Sequence, residues 1–98
     1  MITAIVLIHV QRQSLPETAQ ALLEIEGVAE VYSVAGDYDL VAILRLRQFD
    51  EMAQIVTERM ARVGTITRTL TMPAFQCYSN RDLERMWAIG MEEPPTGS

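Results

Sequence analysis

The sequence predicts an α+β domain in which strands and helices follow one another as β-α-β-β-α-β and the four strands form one antiparallel sheet. Three observations carry this expectation. Two runs, Ile2–Val10 and Leu40–Leu46, are dense in branched aliphatic residues, as buried strands are. Two further segments place apolar residues at helical spacing, and each is closed by a glycine, Gly27 and Gly64. A last run, Thr65–Met72, alternates strictly, setting Thr65, Thr67, Thr69 and Thr71 against Ile66, Arg68, Leu70 and Met72.

Each element has a local cause. The first strand, Ile2 to Val10, is rich in Ile and Val. Ser14-Leu15-Pro16-Glu17 then reads as a capping box: the serine hydroxyl accepts from a free backbone N–H of the first turn, and Glu17 reaches back. Leu15, Ala19, Leu22 and Leu23 form the apolar stripe of this helix, which Gly27 ends. Val28 to Ala35 follows as the second strand. Gly36-Asp37-Tyr38-Asp39 is a turn, because glycine supplies positive φ and aspartate bonds to its own turn. The third strand runs from Leu40 to Leu46. Asp50 is the expected cap of the second helix, with Phe49, Met52, Ala53, Val56, Met60 and Val63 as its stripe. Thr65–Met72 closes the order as the fourth strand. This is the ferredoxin-like, or split βαβ, arrangement. Right-handed crossovers put the first and third strands in the centre and the other two at the edges.

The central strands are apolar on both faces. Ile2, Ala4, Val6 and Ile8 share one face of the first strand and Ile5 and Leu7 the other; Leu40, Ala42, Leu44 and Leu46 oppose Val41 and Ile43 on the third. Both faces must therefore be covered. Two helices cover one. A second copy of the same face is the expected cover of the other, giving a dimeric α/β barrel. The competing cover is the C-terminal segment, where Ser79 or Asn80 caps a helix over Arg81–Ile89 that Gly90 stops, with Leu83, Met86 and Trp87 on one side. The domain is expected to span residues 1–91, and the polar, proline-rich residues 92–98 to be a disordered tail.

Composition excludes several function classes. Ninety-eight residues support one core. The formal charge is −5 and all eight basic residues are arginines spread along the chain, so no phosphate-neutralising surface is expected and no direct nucleic-acid binding. The longest apolar run is too short for a membrane span, the first residues show no signal-peptide pattern, and a cytoplasmic protein fits best. With one cysteine, Cys77, and one histidine, His9, there is neither an internal disulfide nor a zinc ligand set, and no cofactor or metal is expected.

No catalytic constellation appears. A Ser/His/Asp triad needs a positioned histidine, Ser14 and Ser33 sit in no nucleophile elbow, and no glycine-rich phosphate loop is present. Cys77 has Arg81 four residues on, which lowers a thiol's pKa if the segment is helical; the plainer reading is a half-buried small residue. His9 on a strand is compatible with the chemistry of small dimeric-barrel monooxygenases or with a structural histidine. The Gly36–Asp39 turn is the most informative cluster. Two carboxylates flank a tyrosine, hairpin N–H groups receive a carboxylate, and aspartate receives an ammonium, so such a turn suits a free amino acid. A turn with solvated aspartates and an edge-packed tyrosine is the plainer alternative.

Over residues 1 to about 75 the chain resembles the effector-binding domain, or RAM domain, of the Lrp/AsnC family of transcription regulators. The resemblance lies in AIVLIHV, EGVAEVYSVAGDYDLVAIL and GTITRTLTM: a GV-x-x-V strand entry at Gly27-Val28, a G-x-x-D turn at Gly36 and Asp39, and the threonines Thr69 and Thr71 on a Gly-led last strand. It implies a homodimer through face-to-face sheets, with dimers arranged as an octamer or decamer. It also implies a small-molecule effector, usually an amino acid, bound near the turn, with Gly36, Asp37, Tyr38, Asp39, Thr69 and Thr71 as the expected ligand-binding residues. The winged helix-turn-helix that precedes such domains is absent from this sequence, and a chain opening at Met1 on a clean first strand is expected to be a stand-alone form. Residues 74–91 exceed the family pattern, and Pro73 interrupts the last strand at an edge position.

The function these readings favour is a sensing and oligomerisation module acting on transcription through full-length regulators of the same type. The alternative is a monooxygenase-type enzyme, against which the scarcity of polar residues on the central strands counts. A purely structural assembly piece differs from the first reading only in lacking a ligand.

Overall fold

A computed structural model describes residues 1–11 and 13–80. The helix expected over Arg81–Ile89, the tail from Glu92 and the Cys77–Arg81 approach lie outside the described residues. The element order is β1 (Ile2–Val10), α1 (Leu15–Leu23), β2 (Val28–Ser33), β3 (Leu40–Leu46), α2 (Asp50–Gln54) and β4 (Ile66–Pro73). The second helix continues as a π turn over Ile55–Arg59 and a 3₁₀ turn over Met60–Arg62. The strands form one sheet in the order β2-β3-β1-β4, antiparallel throughout, with β1 and β3 central as the crossovers require.

Register sorts the strand residues onto two faces. Val6 pairs with Ala42 and Thr71, and Ile8 with Leu40 and Thr69. The helices cover this face. Ala4, Val6, Ile8, Leu40, Ala42, Leu44 and Leu46 are buried there together with Leu22, Met52, Ile55 and Met60. Each large aliphatic side chain so buried contributes about 1.5–3 kcal/mol. On the opposite face Ile5 pairs with Ile43 and Met72, and Leu7 with Val41 and Leu70. These central residues are half-buried, while Tyr32, Leu70 and Met72 are exposed. Among the described residues no helix lies on this apolar face.

Several local expectations give way to packing. Ser14 stands at the N-cap of α1, but its hydroxyl makes no capping bond, and Glu24 already ends the helix ahead of Gly27. Leu23 is exposed. Thr18 takes the buried position, its hydroxyl satisfied by Thr65. Asp50 does not cap α2. Instead Glu51 Oε1 accepts from the N–H groups of Arg47 and Gln48 at 3.0 and 2.8 Å, so the carboxylate one residue further on satisfies the chain entering the helix. Phe49 and Ala53 face outward and Ile55 faces the core. An α-helical period from Met52 and Ile55 would bring Arg59 inward. Arg59, which closes the π turn, is instead exposed, and Met60 is buried as its place in the expected stripe requires. The second strand is shorter than expected, ending at Ser33, and the fourth runs on to Pro73, which an edge strand tolerates.

Candidate functional site

The Gly36–Asp39 turn sits where the β1–β3 ladder runs out. Gly36 has φ +119°, a region that side chains with a Cβ resist. Beyond the last paired residues, Ile8 and Leu40, Asp39 prolongs the ladder in two ways. Its N–H donates to Ile8 O at 2.9 Å. Its Oδ2 accepts from Val10 N–H at 3.0 Å, standing where a carbonyl of a longer β3 would stand. The Asp39 carbonyl closes the hairpin by accepting from Val34 N–H at 3.1 Å.

The same turn organises two rings. Tyr38 stacks on His9 with centroids 4.3 Å apart and planes inclined by 28°. His9 Nδ1 lies 3.7 Å from Asp39 Oδ2, with both side chains partly exposed, so the electrostatic contribution is small. His9 is thereby a packed member of the turn. A register shift between His9 and Val10 sets Thr67 out of the β1–β4 ladder, and its hydroxyl donates to His9 O at 3.2 Å. Asp37 is exposed, and among the described residues neither its N–H nor that of Gly36 has an intrachain acceptor. The turn thus combines free N–H donors, a free carboxylate and an aromatic wall, held in place by Asp39.

Of the six residues expected to bind a ligand, four meet at this turn. Thr69 and Thr71 do not join them. They pair with Ile8 and Val6, lie on the helix-covered face and belong to a strand on the far side of β1. Tyr38 leans on His9, which alternates onto the other face. β3, which Asp39 prolongs, lies two strand spacings from β4, about 9–10 Å.

Sequence reasoning missed two groupings. His9 and Asp39 are 30 positions apart and meet only through register. On the uncovered face Tyr32 Oη donates to Glu30 Oε2 at 2.8 Å, and Arg45 Nη2 lies 3.6 Å from Glu30 Oε1. The hydrogen bond to Glu30 pushes the Tyr32 phenol above its ordinary pKa, the charge of Glu30 adds to this, and Arg45 opposes it. Among the described residues no three His, Cys, Asp or Glu side chains come together as a metal site. Nor is any helix among them long and apolar enough to cross a membrane.

A family model describing the Lrp/AsnC ligand binding domain matches residues 3–83. The crystal structure of TTHA0845 from Thermus thermophilus is similar at a TM-score of 0.76 and 42% identity, over 81% of this chain and 99% of that one. A feast or famine regulatory protein of M. tuberculosis, Rv3291c, solved with L-methionine, is similar at a TM-score of 0.65 and 26% identity, over 83% of this chain and 55% of that one. Among curated relatives, the HTH-type transcriptional regulator PF0250 of Pyrococcus furiosus is 34% identical over 59 residues, covering 60% of this chain and 39% of that protein. The match therefore spans well under half the length of the curated relatives.

Proposed function

The chain belongs to the Lrp/AsnC ligand-binding domain family, and on that premise we propose that it senses an amino acid at the Gly36–Asp39 turn and reports through assembly with other copies or with full-length regulators. A regulatory, effector-binding role follows from the family itself; the matched relatives are transcriptional regulators and not enzymes. What carries the finer reading is the turn: exposed N–H groups at Gly36 and Asp37, a free Asp37 carboxylate, and Tyr38 fixed against His9. The N–H groups receive the α-carboxylate and Tyr38 lines the side-chain pocket. Asp39 is already engaged by Val10, so the α-ammonium falls chiefly to Asp37. Thr69 and Thr71, on the other face, take part only from a neighbouring subunit. L-methionine in the Rv3291c structure supports the ligand class.

The half-buried ladders Ile5–Ile43 and Leu7–Val41 support pairing of two sheets face to face, and larger rings of such dimers follow the family pattern. The net charge of −5 and the absence of lysine support a chain that does not itself bind DNA. A thermal-shift screen over the twenty amino acids tests the effector reading. A ligand at about 100 times its Kd adds roughly 2.7 kcal/mol, a shift of about 10 °C or more for a domain of this size. Asp37→Ala should then weaken the hit roughly tenfold to a hundredfold by calorimetry. Gly36→Val should weaken it further by straining the turn. A hit bound equally well by Asp37→Ala and by the parent places the effector elsewhere.

A further inference from the structure

At the end of β3 away from the turn, roughly 20 Å off at about 3.3 Å per residue, a recess of about 290 Å³ opens on the helix side of the sheet. Three segments build it. Gly27, ahead of β2, packs directly on Ile55, where a Cβ would stand 2.6 Å from Cδ1, and this contact forms the floor. Arg47 follows the last residue of β3, and its N–H donates to Glu51 Oε1 at 3.0 Å, which holds the strand end against the helix. Glu51, Ile55 and Arg59 come at four-residue intervals along one side of that helix, and all three line the recess. Arg59 closes the π turn, a local widening of the kind that recurs at functional sites. Arg45 borders the recess as well. Its N–H donates to Gly27 O at 2.9 Å, while its side chain turns the other way, to Glu30 on the uncovered face. The recess therefore stands apart from the sheet face assigned to pairing.

What the recess offers is unmatched positive charge. The chain carries −5 overall, thirteen acidic side chains to eight basic ones. Among the described residues, even so, the Arg47 and Arg59 guanidinia form neither an ion pair nor a hydrogen bond. Nor has Gly27 N–H an intrachain acceptor among them. Of the two carboxylates at the recess, Glu51 already receives the N–H groups of Arg47 and Gln48 on Oε1, and Glu26 is exposed on the rim. Each guanidinium presents a planar fork of donors that matches an oxyanion. A monocarboxylate satisfies one fork and leaves the other unmet. A phosphate dianion has oxygens for both, with one over for Gly27 N–H. We propose that this recess binds a phosphate group, free or as the head of a small phosphorylated molecule, through Arg47, Arg59 and Gly27 N–H. Small-molecule sites begin at about 300 Å³, so the space suits one such group; a nucleic-acid backbone needs an extended basic track, which two arginines do not make. The site is separate from the turn, and the proposal does not rest on the turn reading.

The test is an amide NMR titration of the full chain with inorganic phosphate, at a pH where it is mostly dianionic and with sodium chloride holding the ionic strength constant. Signals of Gly27, Arg47 and Arg59 report the recess, and those of Gly36 and Asp37 the turn. Phosphate should shift the three recess signals saturably, and acetate, a monoanion, should bind at least tenfold more weakly. Arg47→Gln and Arg59→Gln should each weaken phosphate at least tenfold, while Arg62→Gln, outside the recess, should change it less than twofold. Glu26→Gln removes the rim carboxylate and should bind phosphate more tightly. Glycerol phosphate distinguishes the two sources: tighter binding than inorganic phosphate assigns the head of a phosphorylated molecule, and equal or weaker binding assigns the free ion. All the substituted side chains are exposed, and circular dichroism checks that the variants stay folded. Four results would overturn the proposal: no saturable recess shift by about 50 mM phosphate; shifts confined to Gly36 and Asp37; Arg62→Gln as damaging as Arg59→Gln, which would mean diffuse charge and no site; or weaker phosphate binding by Glu26→Gln.

Discussion

Replacing Asp39 by alanine separates a residue that builds the turn from one that only lines it. In the folded chain Asp39 Oδ2 accepts from Val10 N–H at 3.0 Å, at the end of the β1–β3 ladder. The alanine leaves that N–H without its acceptor. A bond to a charged group contributes about 1.5–3 kcal/mol when shielded. Here 42% of the Asp39 side chain is exposed, and water can take over part of the bond. A loss of about 1–2 kcal/mol is therefore expected, the His9 contact at 3.7 Å adding little. At roughly 4–8 °C per kcal/mol this lowers the melting midpoint by about 4–16 °C. Asp39→Asn keeps a carbonyl oxygen for Val10 and should recover most of the loss. Asp37→Ala, on an exposed side chain that props up no strand, should stay within about 0.5 kcal/mol of the parent. Thermal unfolding followed by circular dichroism measures all three. An Asp39→Ala midpoint within about 2 °C of the parent, or an asparagine variant no better than alanine, would refute the assignment of Asp39 as the strut of the turn.

Gly27→Ala should destabilise by about 2–5 kcal/mol. The residue holds φ +102° and its Cβ would stand 2.6 Å from Ile55 Cδ1; left-handed backbone costs about 1–2 kcal/mol and overpacking about 1–3. In an Ile55→Val background, which removes that carbon, chemical denaturation should show a smaller loss, the backbone part with the remaining crowding against Leu46 Cδ2 at 3.2 Å. Light scattering should return at least twice the 11.0 kDa chain mass for the parent and a smaller species for Leu7→Arg, whose charge falls in the middle of the uncovered face; a parent that is a folded monomer sinks the paired-sheet reading. Mobility shifts with random duplex at low salt should show no complex below about 10 µM, and salt-sensitive nanomolar binding would contradict the charge argument.

The β-α-β-β-α-β order, the central placement of β1 and β3, and the bounds of β3 were legible in the residue pattern. Strand and helix periods are local properties, and crossover handedness then leaves one arrangement of the sheet. The turn was legible for the same reason, since Gly36 announces its positive φ. Three features were decided by packing. Ile55, outside the expected stripe, became core while Arg59, which a helical period from Ile55 would bring inward, stays exposed at the end of a π turn, and nothing in the 3.6-residue period announces where such a turn falls. Thr18, polar and unremarked in the stripe, is buried because Thr65, 47 positions away, supplies its partner. Asp39 reads from the chain as a free carboxylate, yet folding assigns it to Val10, because register sets the end of β1 against the turn. The same register sends Thr69 and Thr71 to the face away from Tyr38, a separation that spacing along one strand cannot reveal. Contacts within a few residues follow from the local chain; those closed by register and helix phase exist only once the sheet and helices have packed.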